Sequence, residues 1–245
     1  MKKELKRQIR EDEFVSGLGR ALSWIDAHRD ETRVTAIALA VVAFGGVALA
    51  YYQSARTRDA RQEFEAALEV FHAPVTSEIP AGEKPATPGF ASAAEKYRKA
   101  AAAFDGVERR FGSTVEGVRA RYYGALCRIE IGGEQEREQA RKALQDVAGR
   151  RERPLESGLA KLALADMLRR DGQVDLAVGA YKALAEDLTA QVPRDATLMR
   201  IAEALDEAHR SSEARDAYKR LVDEFPGSVF ASEARQRAAY LGNGA

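Results

Sequence analysis

Cysteine is nearly absent from this chain of 245 residues: Cys127 stands alone. A single cysteine excludes an intrachain disulfide and any cysteine-rich zinc site. Its neighbours Tyr123, Gly124 and Ile131 suit a packing role better than that of a nucleophile. Histidine is almost as scarce. His28, His72 and His209 lie on separate segments, none four residues from another, and no HExxH occurs. Each therefore reads as a surface or interface histidine, not a metal ligand or base. Net charge is missing as well, since 38 Lys/Arg balance 38 Asp/Glu. That balance lacks the basic excess of a dedicated nucleic-acid binder. Phosphate loops are not found either. "GLG" at 17–19 follows no strand, and "AGEKPATPG" lacks the GxxxxGK[ST] spacing. No catalytic residue, cofactor or metal is expected, and nothing reads as a β-strand.

Charge disappears altogether between Arg33 and Arg56, in "RVTAIALAVVAFGGVALAYYQSAR". As a helix, its nineteen apolar-rich residues 34–52 cover roughly 28 Å, close to the roughly 30 Å hydrocarbon thickness of a bilayer. From Val34 through Tyr52 the run shows no polar stripe, as lipid requires on every side. Gly45 and Gly46 are tolerated in lipid, and Tyr51 and Tyr52 fall at the end, where rings prefer the headgroup layer. A cleaved signal and a buried soluble helix are the alternatives. "ALA" at 48–50 has the form of a cleavage site, but the 33 preceding residues, several acidic, do not resemble a signal's short basic region. The expectation is one retained transmembrane helix over 34–55.

Orientation is less sharply encoded. Lys2, Lys3, Lys6, Arg7 and Arg10 favour a cytoplasmic N-terminus, whereas Arg20, Arg29 and Arg33 are matched across the span by Arg56, Arg58 and Arg61. The expected topology is N-terminus cytoplasmic and C-terminal domain extracytoplasmic. In the tail, residues 1–33, Phe14, Val15, Leu18, Leu22 and Ile25 share about 100° of helical arc. This stripe suits the inner membrane surface, a partner, or self-association. Residues 56–89 read as a charged membrane-proximal helix followed by a loop, because 73–89 holds four of the seven prolines.

From residue 90 onward, breaks at "FGST", "GGE", "RERP", "DGQ", "VPRD", "HRSS" and "FPGS" leave pieces of roughly 15–20 residues that indicate antiparallel helix pairs. The pairs repeat. Leu164, Ala165, Leu168, Ala177, Tyr181 and Leu184 return as Ile201, Ala202, Leu205, Ala214, Tyr218 and Leu221, closing at Pro226. A looser unit holds Tyr123, Gly124 and Cys127, then Ala140, Leu144 and Val147; the first shows only Ala100, Phe104 and Val107. A small residue lets two helices approach, and the aromatic four residues later fills the gap to the next pair. A terminal helix is expected over 229–241.

This pattern, small-x3-aromatic-x2-aliphatic closing at proline, resembles the tetratricopeptide repeat. The layout of charged tail, single span and repeats is similar to the YfgM-type membrane-anchored proteins, ancillary to the Sec translocon. The resemblance implies an inner-membrane protein of the bacterial envelope with periplasmic repeats that bind other proteins, including envelope chaperones. Its expected role is a non-catalytic scaffold or adaptor. The alternatives are an envelope-assembly or cell-division scaffold, and a structural homo-oligomeriser. Some cytosolic relatives grip a C-terminal carboxylate with lysines and asparagines; the sole asparagine here, Asn243, lies outside the repeats.

The all-α fold so predicted, a transmembrane helix followed by a tetratricopeptide-like solenoid over 90–245, presents a concave face lined by first helices that suits an extended peptide or a partner's helix, the alternative being a solvated face without a ligand. The repeat phase puts Arg121 and Arg128 on that face from one pair. Leu162, Asp166 and Arg169 come from the next, and Met199, Glu203 and Asp206 from the third.

Overall fold

A computed structural model describes residues 29–76 and 89–243. The apolar stripe of the tail, Phe14 to Ile25, and most of the proline-rich stretch lie outside the described residues. Within them the alanine-rich periodicity becomes nine α-helices and no strand. These are α1 Arg29–His72, α2 Ala93–Phe111, α3 Val115–Ile131, α4 Glu134–Ala148, α5 Pro154–Arg170, α6 Val174–Glu186, α7 Arg194–Glu207, α8 Ser211–Glu224 and α9 Ala231–Asn243. An isolated β-bridge joins Val75 to Phe90.

The chain divides into two units, Met1–Arg56 and Thr57–Ala245, with the boundary inside α1. In the first unit Val34, Ile37, Val42, Phe44 and Val47 are all exposed, and so are Tyr51 and Tyr52. A Cβ added at Gly45 or Gly46 would meet nothing within 4 Å. Among the described residues one helix is long and apolar enough to cross a membrane, and its most apolar window has no buried residue.

The second unit is built of helical hairpins. Residues 57–72 of α1 pair with α2, then come α3 with α4, α5 with α6 and α7 with α8; α9 packs on α8. The four second helices bury the same motif. Ala100, Phe104 and Val107, then Ala140, Leu144 and Val147, then Ala177, Tyr181 and Leu184, then Ala214, Tyr218 and Leu221 are all core residues. The first repeat, which shows only its second half in sequence, finds its missing half in α1. Ala60, Phe64 and Ala67 are buried with Phe104, and the Phe64 and Phe104 rings lie 5.8 Å apart. The proline-rich stretch is therefore an insertion within the first hairpin, its ends clamped where Phe90 donates to the Pro74 carbonyl at 2.9 Å and Thr76 to the Phe90 carbonyl at 2.8 Å.

Helix ends follow local chemistry. Ser92 Oγ accepts from the Glu95 amide at 3.2 Å and Thr114 Oγ1 from the Gly117 amide at 3.1 Å, satisfying orphan donors of α2 and α3. Between α5 and α6, Gly172 turns the chain at φ +73°. The equivalent position between α7 and α8 is His209, at φ 57°. A Cβ is disfavoured in that left-handed region. His209→Gly is thus expected to stabilise the unit by about 0.5–1 kcal/mol. The check is a higher urea midpoint at unchanged slope; a lower midpoint would mean that the imidazole holds the turn.

Candidate functional site

Helices α3, α5 and α7 are the first members of successive hairpins, and one face of each borders a shared groove of about 360 Å³. From α3 come Tyr122, Leu126 and Ile129, spaced i, i+4, i+7; from α5 come Leu162, Asp166 and Arg170; from α7 comes Arg200. Phe71 of α1 and Tyr97 of α2 close one end with aromatic rings, centroids 6.0 Å apart. Behind them Tyr123 stacks on Phe104 at 5.4 Å, which fixes α3 against the first hairpin.

Next along α7, Glu203, Asp206 and Glu207 enter a second hollow of about 380 Å³ with Tyr218, Glu233, His209 and Arg237. Arg200 links the two: its Nη1 donates to Glu203 at 3.1 Å, and its Nε lies 3.9 Å from Asp166. Asp166 in turn accepts from the Tyr181 hydroxyl at 2.5 Å. That bond ties the groove wall to the motif tyrosine of α6. Burial, and then Asp166, push the Tyr181 phenol well above its usual range. Burial first, then Tyr123 and Asp166, push Tyr122 up to about 12, so it stays a neutral ring.

Not every residue read from the repeat phase reaches this face. Leu162, Asp166, Glu203 and Asp206 line the groove or the adjoining hollow. Arg169 is mostly buried beside them, its Nη1 donating to Glu207 at 2.5 Å. Burial alone would lower Arg169, but the Glu207 hydrogen bond and charge outweigh it and hold the guanidinium up. Met199 is a correction: it is 3% exposed and packs in the core with Leu198 and Tyr218, while its neighbour Arg200 takes the groove position.

Arg121 and Arg128 are corrections of the same kind. Arg121 pairs with Glu108 of α2 at 2.7 Å and with Asp146 of α4. Arg128 pairs with Asp105 of α2 at 2.7 Å and donates to Gln139 of α4 at 3.1 Å. Both arginines turn toward second helices, and the groove belongs to residues one step, about 100°, further round. The stripe Tyr122, Leu126, Ile129 was the available signal. Phe71, Tyr97, Arg200, Glu207 and Glu233 carried none, because only packing brings them to this face.

The larger cavity, about 710 Å³, lies elsewhere, at the turns, with Gly149, Arg151, Ser157 and Thr189 on its walls. Lys161 and Asp187 face each other there at 3.0 Å. Hydrogen bonds from Thr189, and then the Lys161 ammonium, hold Asp187 down at about 2. Cys127 is fully buried, and burial pushes its thiol up to about 12, which leaves no thiolate for nucleophilic attack. No group of three or more His, Cys, Asp or Glu is arranged to hold a metal among the described residues.

The hairpin geometry has a counterpart among known families: residues 133–196 and 196–228 each match the tetratricopeptide-repeat family. Residues 133–228 form tetratricopeptide repeats. The matched residues cover α4 through α8. The hairpin of α1 and α2, outside the match, buries the same motif. No curated protein matches the chain. Tetratricopeptide repeats are in general non-catalytic modules that bind other proteins, and two of the three helices that line the groove described above, α5 and α7, lie within the matched residues.

Proposed function

We propose that this protein is a membrane-anchored adaptor whose repeat groove holds an extended segment of a partner protein. The observation that carries this reading is the solvent-facing groove over α3, α5 and α7, aromatic at one end and edged by charge. A preformed groove lowers the ordering cost of binding. Residues 34–55 are the anchor, 1–33 a cytoplasmic tail, and the repeat unit works on the extracytoplasmic side. Support for the anchor is that an all-apolar helix surface such as Val42 and Phe44 is left without packing partners, as lipid contact would require. The layout supports a workplace beside the Sec translocon, with envelope chaperones or translocon components as partners.

A photo-crosslinking side chain placed at Leu162, in the groove, tests this in intact cells; the same group at Leu176, exposed on α6, is the control. Adducts to other proteins from position 162, absent from 176, are the expected result. Self-adducts alone from position 162 would replace the adaptor with a structural homo-oligomeriser. Cysteine labelling near each end of the chain reads the topology.

A further inference from the structure

Charge and apolarity are unevenly divided along this face. The wall around Tyr122 and Leu126 carries Glu130 and Asp166 against Arg170 and Arg200, a balanced set around an apolar floor. The adjoining hollow sets Glu203, Asp206, Glu207 and Glu233 against Arg237. Arg169 and Arg200 reach in from the side to Glu207 and Glu203, and Arg237 stands 3.8 Å from Asp206. Even so, four carboxylates face three arginines there, one of which, Arg200, is shared with the groove wall. A long surface with an apolar socket at one end and a negative hollow at the other selects a ligand of matching polarity, since complementary charge fixes register and rejects wrong partners.

Resting on the reading of this face as a protein-binding groove, we infer that its ligand is an extended peptide with an aromatic or large aliphatic side chain at one end and Lys or Arg at the other. The apolar side chain sits among Phe71, Tyr97 and Tyr122, and the basic residues sit over Glu203, Asp206 and Glu233. Helix α3 is two first-helix steps from α7, and at about 8–10 Å per step the two anchors are separated by roughly five or six extended residues. An acidic peptide of the same length places its carboxylates against the hollow and is repelled.

Full-length protein in phosphatidylcholine nanodiscs keeps lipid charge from attracting the probe. The probes are fluorescein-labelled Trp-Leu-Gly-Ser-Gly-Ser-Lys-Lys and its Glu-Glu counterpart, followed by fluorescence anisotropy. The Lys-ended peptide is expected to bind about tenfold tighter than the Glu-ended one, with the gap closing as salt rises. Glu203→Lys with Glu233→Lys should reverse the preference. The milder pair Glu203→Gln and Glu233→Gln should abolish it at unchanged helicity. Tyr122→Ala, or Ile129→Ser where the former loses helicity, should weaken both peptides. Equal affinity for the two peptides with sensitivity to Tyr122→Ala would overturn the polarity and leave the groove. No binding of either peptide, or no response to the Tyr122 and Ile129 variants, would overturn the groove reading as well.

Discussion

Val42→Arg combined with Phe44→Arg is expected to move the full-length protein from the carbonate-resistant membrane fraction into the soluble fraction. Each arginine near the middle of a span costs about 2.5–3.5 kcal/mol of insertion free energy, and each lost apolar side chain adds about 0.3–0.6. Two replacements together oppose insertion by roughly 6–8 kcal/mol, more than edge snorkelling can recover at mid-helix depth. Both side chains are largely exposed, at 73% and 78%. The repeat unit should therefore keep its helicity and thermal transition, which separates loss of anchoring from loss of folding. Val34→Arg, at the edge of the run, serves as the control and should stay in the membrane. A double variant that still resists carbonate would remove the anchor from the proposed function.

The second large effect is expected at Tyr181. Its ring is completely buried between α5, α6 and the following hairpin, and its hydroxyl donates to Asp166. Tyr181→Ala should cost about 3–5 kcal/mol, through lost burial and an unfilled cavity. A unit of this size shifts its midpoint by about 2–4 °C per kcal/mol, so a fall of roughly 6–20 °C is expected in thermal unfolding followed at 222 nm. Tyr181→Phe keeps the ring and should lose about 1 kcal/mol, the worth of one hydrogen bond. Because a repeat array is stabilised by contacts between neighbours, the loss should spread to the hairpin of α7 and α8, readable as faster amide exchange there. A Tyr181→Ala loss below 1 kcal/mol would mean that the motif aromatic is not what joins the pairs.

Much of this architecture is legible in the residue order. The small-x3-aromatic-x2-aliphatic spacing identifies the second helices, because a residue with one permitted neighbour distance leaves a fixed period. Ala177, Tyr181 and Leu184 show it, and their counterparts Ala214, Tyr218 and Leu221 are equally buried. First helices are harder, since two of their faces are covered and a charged residue can lie on either. Arg121 and Arg128 look like surface residues in sequence, yet both are spent on ion pairs with α2 and α4. Met199 looks like an isolated apolar anchor and is core. The first helix of the first repeat was hidden for a different reason. It continues from the apolar run without a break and is cut off from its partner by the proline-rich insertion.

What the sequence determined by itself was composition-limited and periodic: one helix apolar enough for a bilayer, no intrachain disulfide, no cysteine-rich zinc site, and a period of 37 residues between the two clearest repeats. These depend on residue type and spacing alone. Only the tertiary structure decided which side of each first helix meets its neighbours, that residues 57–72 complete the first hairpin, and that Phe71, Tyr122, Arg200 and Glu233 share one face. A helix rotated by one residue turns through about 100°, and only packing against its partners sets that rotation.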